Sequence, residues 1–299
     1  MDSRFGRIVS GVPPIELVAS GFGFTEGPVW NGDHLLFTDI ARSRIHRWRP
    51  GAGVGTVEVV REPSNLANGL TLDLERRLVI CEGWSRRLTR LEHDGSVSVL
   101  ADRYQGERLN SPNDVVVRAD GSIYFSDPFW PHIFENPFGP RLNPGERERL
   151  YAGVMRITPA GEVVAAADGP VDFEHPNGLT FSPDERVLYA NDTRRMYIRA
   201  YEVQPDGSLA NGRMFARLSG AEPGAPDGMK VDQEGNVYCT GPGGIWVFDS
   251  GGAVLGRIRF PKLPANLGWG GTDWQTLFAT ARTSVYRIRL RIPGAPVRR

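Results

Sequence analysis

The sequence predicts an all-β protein, a six-bladed β-propeller, and three observations support this. A strand–turn–strand unit recurs six times, opening at positions 26, 68, 113, 177, 227 and 266. Most of the intervals match the about 40–50 residues of a four-stranded propeller blade. Apolar residues alternate with a period of two between turn signals, supplied by 36 glycines and 23 prolines, and the helical apolar spacing is nearly absent.

Each copy begins with a small polar residue beside Gly, Pro or Asp and then continues into an apolar alternation. After a polar turn, the second strands are predicted at residues 35–39, 78–82, 123–127, 187–192, 237–240 and 277–280. A third strand with basic residues often follows, as at 44–48. Residues 14–19 precede the first copy, and we expect them to add a strand to the last blade and close the ring.

One interval, from position 113 to 177, is too long for a blade. The excess lies in residues 129–149, which are rich in Pro, Gly and aromatic residues. We expect a long lid loop between blades three and four, and whether it contacts substrate stays open. The whole chain, 1–299, is then a single propeller domain whose short strand edges are protected. A pair of β-sandwiches is the competing fold, but it does not explain the repeated Asn-Gly or Asp-Gly ahead of the same strand.

Composition excludes several classes of protein. The formal net charge is zero, so no basic surface for nucleic acid is expected. No apolar run approaches the roughly 18 residues of a membrane-spanning helix, and the N-terminus does not resemble a signal peptide. These features predict a cytoplasmic protein without a membrane partner, of undetermined oligomeric state. The two cysteines, Cys81 and Cys239, lie in apolar runs and are expected to be buried free thiols.

All six copies are led by an oxygen-bearing side chain, and four of these are the candidate ligands: Glu26, Asn113, Asn177 and Asp227. First strands of a propeller lie nearest the channel and start on one face, so these four side chains are expected to converge. Carboxylate and carboxamide oxygens suit a hard divalent cation, with Ca²⁺ favoured and Mg²⁺, Mn²⁺, Fe²⁺ or Zn²⁺ as alternatives. Taken singly, Asn-Gly and Asp-Gly are common turn dipeptides. Their recurrence at the same position favours a metal site.

The two remaining leading residues are asparagines. Asn68 is in the same register as the four candidate ligands, and it either lines the funnel or serves its own turn. Asn266 is followed by Gly268, Gly270 and Gly271, which favour a structural role.

The five histidines separate into two groups. His34, His46 and His93 fall at turns or in outer strands and are expected at the surface. His132, in the predicted lid, and His175, just before the fourth copy, are candidate acid–base groups near neutral pH, although a structural role is favoured for each. No Gly-x-Ser-x-Gly motif is present, so a serine nucleophile is not expected.

The chain resembles the SMP-30/gluconolactonase/luciferin-regenerating-enzyme family from about residue 15 to 290. The most specific matches are residues 26–30, 109–114, 123–128, 176–179 and 226–228. The resemblance implies a six-bladed propeller with a divalent metal over its channel, and hydrolysis of lactones, commonly sugar lactones. It implies that Glu26, Asn177 and Asp227 are the core metal ligands, that Asn113 touches metal or substrate, and that Asp227 is the general base.

Two departures from the family concern the substrate. Members that bind sugar lactones through an arginine have it two residues before the asparagine, where this chain has Ser111. Many bacterial gluconolactonases later read Asp-Pro-Pro-Tyr-Gly, whereas this chain continues from Asp127 as Asp-Pro-Phe-Trp-Pro-His. The predicted lid is therefore more aromatic and carries an imidazole.

The sequence thus predicts a metal-dependent hydrolase that opens a small-molecule lactone, and the resemblance implies a sugar lactone. In this hypothesis the cation polarises the carbonyl and Asp227 takes a proton from water, with water activated by the cation alone as the alternative. Asn113 and Asn68 would orient the substrate, and Trp130 and His132 would contact it from the lid. A phosphotriester hydrolase using the same metal and a ligand-binding propeller without chemistry stay open as alternatives.

Overall fold

The computed structural model describes residues 2–9, 11, 14–51, 55–130, 147–169 and 171–296. Its strands form six four-stranded antiparallel sheets, which confirms the six-bladed propeller, together with a small two-stranded sheet. A helix, α1 (Ser3–Val9), and a short 3-10 helix (Ile40–Arg42) complete the regular structure of these ranges.

The strands are numbered in chain order, and each blade is given from its innermost strand outward. Blade one contains β2 (Thr25–Asn31), β3 (His34–Asp39), β4 (Arg44–Arg49) and β5 (Thr56–Arg61). Blade two contains β6 (Ala67–Leu72), β7 (Leu78–Glu82), β8 (Arg87–Leu91) and β9 (Val97–Ala101), and the small sheet β10 (Arg103–Tyr104) and β11 (Glu107–Arg108) follows. Blade three contains β12 (Val115–Val117), β13 (Ile123–Asp127), β14 (Gly153–Ile157) and β15 (Val163–Asp168).

The second half of the chain repeats this order. Blade four contains β16 (Pro176–Phe181), β17 (Val187–Asp192), β18 (Tyr197–Val203) and β19 (Leu209–Arg217). Blade five contains β20 (Met229–Val231), β21 (Val237–Gly241), β22 (Gly244–Phe248) and β23 (Val254–Ile258). Blade six contains β24 (Asn266–Gly270), β25 (Thr276–Ala281), β26 (Ser284–Arg289) and β1 (Glu16–Ser20).

The six first strands form a closed inner ring. Each contacts the first strand of the next blade, and β24 contacts β2. Strand β16 is buried at every position, whereas the outermost strand of blade one, β5, is exposed at nearly all of its positions. The strand starts therefore meet near the axis, as the repeat pattern predicts.

The ring closes through the N-terminal strand, as predicted from residues 14–19. Strand β1 pairs with β26, and Arg287 Nη2 donates to Glu16 Oε2 at 2.6 Å across this pair. On the other side of blade six, the ring of Trp30 stacks on Phe278 of β25 at 5.5 Å. Blade six is thus completed by the first strand of the chain and packs directly against blade one.

Helix α1 was not predicted. It has seven residues, and its buried side chains Phe5 and Ile8 pack on the core between blades five and six. A single pair of apolar residues is too short to produce a periodic signal, and so short a helix depends on tertiary packing. None of the helices in the described ranges is both long and apolar enough to cross a bilayer.

The long connection lies inside blade three, which corrects its expected position between blades three and four. It joins β13 to β14, two strands that pair directly, with Ser126 opposite Val154. A buried ion pair holds its ends together, because Arg149 Nη1 donates to Asp127 Oδ2 at 2.6 Å. Residues 131–146, including His132, lie outside the described residues, so the expected lid stays a prediction.

Other predictions concerned cysteines and histidines. Cys81 and Cys239 are buried and free, as expected. The surface position expected for His46 is wrong, because its ring is buried with its centroid 5.0 Å from Phe22 and 5.3 Å from Phe37. Burial lowers the pKa of His46. The residue lies on the face of β4 that packs between sheets, which its sequence position alone does not reveal.

Candidate active site at the start of the first strands

Hydrogen bonds and strand contacts link the start of each first strand to the next blade, so the leading residues of all six blades lie around one axis. In ring order the bonds are Thr38 Oγ1 to Asn68 O at 3.1 Å, Gly69 N to Asn113 O at 2.7 Å, Gly178 N to Asp227 O at 3.1 Å, Gly228 N to Ala265 O at 2.9 Å and Asn266 Nδ2 to Glu26 Oε2 at 2.8 Å. Blades three and four meet through contacts between β12 and β16.

The glycine after a leading residue allows this close approach. A Cβ on Gly178 would overlap the carbonyl oxygen of Asp227, and a Cβ on Gly27, whose φ is +50°, would overlap the carbonyl oxygen of Asn68. Both glycines lie within first strands rather than in turns. The Asn-Gly and Glu-Gly dipeptides at these positions are therefore packing features, because only glycine leaves room for the neighbouring backbone.

Glu26 is a buried carboxylate on β2, with 2% of its surface exposed. Its Oε2 accepts hydrogen bonds from Gly27 N at 2.9 Å and from Asn266 Nδ2 at 2.8 Å. Burial raises the pKa of Glu26 to about 7, and the Asp114 carboxylate adds to the shift. These contacts fix one oxygen of the carboxylate and leave its charge poorly compensated.

Asn177 and Asp227 are joined through Thr193. Asn177 Nδ2 donates to Thr193 Oγ1 at 3.0 Å, which donates to Pro226 O at 2.7 Å. Asn177 is 5% exposed, and its Oδ1 is buried without a hydrogen-bond partner in the described part of the chain. A buried acceptor without a donor is costly unless another group completes its coordination.

Asp227 lies at the start of the blade-five strand, and its main chain is held firmly. Its carbonyl oxygen accepts from Gly178 N at 3.1 Å and from Asn191 Nδ2 at 2.5 Å. Exclusion of water from its carboxylate raises the pKa of Asp227 well above its usual range, and the charges of Glu26 and Asp114 raise it further. Glu26 and Asp227 are therefore close enough for their charges to repel, which is the convergence predicted for them.

Asn113 and Asn68 flank this cluster. Asn113 is 6% exposed just ahead of β12, and its carboxamide has no hydrogen bond to the described residues. Asn68 is half-buried on β6, and its Oδ1 is also without a donor there. The two carboxamides therefore have polar atoms available to a ligand.

Asp114 adds a third buried carboxylate, with 2% of its surface exposed. Its Oδ2 lies 3.9 Å from Lys230 Nζ, a lysine on β20. Burial raises the pKa of Asp114, and Lys230 opposes the shift. This pair places the positively charged side chain of Lys230 on a first strand, next to the leading residues.

The side chain of Ser111 is engaged by the long connection. Its hydroxyl donates to Pro128 O at 2.5 Å, and its main-chain N–H donates to Asp127 Oδ1 at 3.0 Å. Ser111 therefore holds the start of the long connection.

Trp130 lies beside the start of blade four. Its ring stacks on His175 with centroids 4.6 Å apart and planes within 6°. His175 is buried, and its Nε2 lies 2.9 Å from Phe129 O, so Nε2 carries the proton because a carbonyl can only accept. Burial lowers the pKa of His175. The favoured structural role of His175 fits this contact, which holds the described end of the long connection two residues from Asn177.

A cavity of about 360 Å³ opens beside Asp227. Its other walls come from blade one and from the segment before blade six, and they include Phe24, Leu263 and Arg282. The site thus has an accessible chamber next to its acidic cluster, with one cationic side chain on the wall.

The donor set fits a hard cation. Within the described ranges no group of three or more His, Cys, Asp and Glu side chains is arranged as metal ligands. The predicted set has only two such residues, Glu26 and Asp227, and its other members are asparagines. Two repelling carboxylates beside the unsatisfied Oδ1 of Asn177 form an oxygen-only environment that a divalent cation would stabilise.

Sequence reasoning missed several neighbours of this cluster. Asn266 was expected to be structural only, yet it donates to Glu26 and so orients a predicted ligand. Its position as the sixth leading residue was the available signal. Asp114 follows a predicted ligand, and Lys230 is one of only two lysines, so both could have been examined. No sequence motif indicated Arg282, since it lies in a hairpin turn between two strands.

Fold and site together define a six-bladed propeller with a buried carboxylate–carboxamide cluster at one end of its channel. A family model described as "SMP-30/Gluconolactonase/LRE-like region" matches residues 24–283. The chain belongs to this family, which confirms the resemblance drawn from its motifs.

Individual relatives agree with this assignment. A gluconolactonase from Zymomonas mobilis is 33% identical, over 97% of this chain and 85% of the relative. A pentonolactonase from Haloferax volcanii is 29% identical, over 85% of this chain and 80% of the relative. The solved structure of a gluconolactonase from Xanthomonas campestris is 34% identical, with a TM-score of 0.86 over 97% of this chain and 93% of that one.

Proposed function

We propose that this protein is a metal-dependent lactonase that hydrolyses a small sugar lactone at the start of the first strands. The observation that carries the proposal is that the Glu26 and Asp227 carboxylates are close enough to repel, with the buried, unpartnered Oδ1 of Asn177 in the same ring of strand starts. The gluconolactonase and pentonolactonase relatives support a sugar lactone as the substrate class.

Glu26, Asn177 and Asp227 would hold the divalent cation, with Asn113 as a further oxygen donor. Carboxylate and carboxamide oxygens favour Ca²⁺, and Mg²⁺, Mn²⁺, Fe²⁺ or Zn²⁺ are the alternatives. When bound, the cation would polarise the lactone carbonyl and stabilise negative charge on its oxygen. Asn266 would keep Glu26 in its orientation through the 2.8 Å hydrogen bond.

Asp227 is proposed as the base that takes a proton from the attacking water. Its carbonyl oxygen is held by Gly178 and Asn191, so the carboxylate has a defined position at the cavity wall. Burial raises the pKa of Asp227 and so strengthens it as a base. A bound cation would weaken it, so water activated by the cation alone is the alternative.

The neighbouring side chains would orient the substrate. The free carboxamide groups of Asn113 and Asn68 can exchange hydrogen bonds with ring and hydroxyl oxygens. Trp130, held by its stacking on His175, would cover one side of the sugar. The proposed contact by His132 lies outside the described residues.

The decisive experiment links metal to turnover. The metal content of purified protein is measured by mass spectrometry, and hydrolysis of D-glucono-1,5-lactone is followed with a pH indicator after subtraction of the spontaneous rate. We expect a chelator to abolish turnover and added Ca²⁺ to restore it. Full turnover in chelated, metal-free protein contradicts the proposal.

The same preparation separates the alternatives. Faster turnover of paraoxon than of any lactone in a panel would identify a phosphotriester hydrolase. Bound metal without turnover of either substrate class would identify a ligand-binding propeller.

A further inference from the structure

The side of the cavity opposite the acidic cluster carries an arginine. Arg282 lies in the two-residue turn between β25 and β26, and it shares the wall of the 360 Å³ cavity with Asp227. Its guanidinium lies over the ring of Phe24, with 5.4 Å between its central carbon and the ring centroid. An apolar ring and a cation thus face the chamber next to the proposed base.

The turn that carries Arg282 is held in place from two sides. The main-chain N–H and the hydroxyl of Thr25, next to Glu26, donate to Arg282 O at 2.7 and 3.0 Å. Lys262 Nζ donates to the hydroxyls of Thr283 and Ser284. The main chain of Arg282 adopts φ of +55°, a conformation that Gly or Asn usually provides in such turns. The position of the Arg282 main chain is therefore defined, although its side chain is exposed.

Within the described residues, the guanidinium of Arg282 and the ammonium group of Lys262 form no ion pair with a carboxylate. Glu222, on the loop that leads to Asp227, pairs instead with Arg257 at 2.6 Å and Arg259 at 2.5 Å.

The remaining charges of the site compensate one another. Lys230 faces Asp114, and the proposed divalent cation would balance Glu26 and Asp227. The guanidinium is then the surplus charge of the chamber, and its field reaches Asp227, where it opposes the rise in pKa.

Resting on the proposed lactonase function, we infer that Phe24, Leu263 and Arg282 form a subsite for an anionic substituent of the substrate. The ligand class is a sugar lactone with a carboxylate, phosphate or sulfonate remote from the ring carbonyl. A guanidinium recognises such groups through paired charge-assisted hydrogen bonds, whereas Phe24 and Leu263 contact the carbon chain.

Two lactones that differ at one carbon test this subsite. D-glucaro-1,4-lactone has a carboxylate at carbon 6, where D-glucono-1,4-lactone has a hydroxymethyl group. For the Ca²⁺-loaded protein we expect a higher kcat/KM with the glucarolactone. Arg282→Gln should lower the ratio of the two kcat/KM values by about tenfold or more, and Arg282→Lys should lower it less.

Arg217 provides a matched control. Its guanidinium lies over the ring of Tyr197 at 5.9 Å, at the outer edge of blade four and outside the cavity. Arg217→Gln should leave the ratio unchanged, which separates a local contact from the general effect of net charge.

An unchanged ratio in Arg282→Gln overturns the subsite while leaving the lactonase proposal intact. If the wild type hydrolyses neither lactone, the lactonase proposal fails, and calorimetric binding of the glucarolactone to wild type and Arg282→Gln still tests the subsite. Equal affinity of the two proteins would contradict it. Thermal melting of each variant shows whether the fold is retained.

Discussion

The two ends of the central channel are lined by the same first strands but differ in chemistry. At the strand starts lie the carboxylates and carboxamides of Glu26, Asn177 and Asp227. At the strand ends a second cavity, of about 280 Å³, is lined mostly by small and β-branched residues such as Thr71, Val117 and Thr180. The two ends therefore differ because the polar leading residues lie at the strand starts, whereas mostly small and β-branched residues lie at the strand ends.

The largest expected effect is on catalysis. Asp227→Asn removes the proposed base and one cation ligand, so kcat for lactone hydrolysis should fall by about 10³-fold at saturating Ca²⁺. Thr180→Val removes one hydroxyl at the other end of the channel, distant from the cluster, and should change kcat less than about twofold. Initial rates for both variants, with circular dichroism to verify folding, test the contrast. Equal losses would mean that the two ends do not differ in function.

The next largest expected effect is on the affinity for the cation. Glu26→Gln removes a ligand charge and should weaken Ca²⁺ binding by about 100-fold. Asn266→Ala removes the hydrogen bond that orients Glu26 and keeps all the proposed ligands, so a loss of about tenfold is expected. Isothermal titration calorimetry measures both. A larger loss in Asn266→Ala than in Glu26→Gln would refute the positioning role.

The close packing of the strand starts predicts an effect on stability. Gly178→Ala places a Cβ against the carbonyl oxygen of Asp227 and should lower the free energy of unfolding by about 2 kcal/mol. Gly6→Ala, in helix α1, meets no atom within 4 Å and should raise it by up to about 1 kcal/mol. Urea unfolding of both variants provides the measurement. A neutral Gly178→Ala would show that the blades can separate without cost.

The smallest expected effect is a pH dependence of stability. Because the pKa of Glu26 rises from 4.5 to about 7 on folding, the metal-free native state binds more protons than the unfolded state between these values. Stability of the metal-free protein should therefore fall as pH rises through this window.

Cation binding requires the ionised carboxylate, so it should reverse this trend. We expect Ca²⁺ to raise the melting temperature more at pH 7.5 than at pH 5.5, as measured by differential scanning calorimetry. An equal increase at both pH values would show that Glu26 does not take part in binding.

Comparison of particular residues shows where prediction from sequence succeeds. Each first strand was located from its leading residue and the alternation that follows, because both are local features. The convergence of Glu26 and Asp227 followed from the repeat, since propeller geometry brings equivalent positions together. His46, Asn266 and the place of the long connection were not predicted correctly, because each depends on contacts between segments that the repeat does not specify.

The sequence by itself determined the number of blades, the positions of their leading residues and the family. These features reside in short motifs and in their spacing, which local strand and turn preferences translate into repeated units. Only the tertiary structure decided that Asn266 orients Glu26, that Ser111 faces Pro128 and that Arg282 enters the cavity beside Asp227. The physical reason is ring closure, which brings side chains as far apart in the chain as Glu26 and Asn266 into hydrogen-bond contact through the packing of glycine-bearing strands.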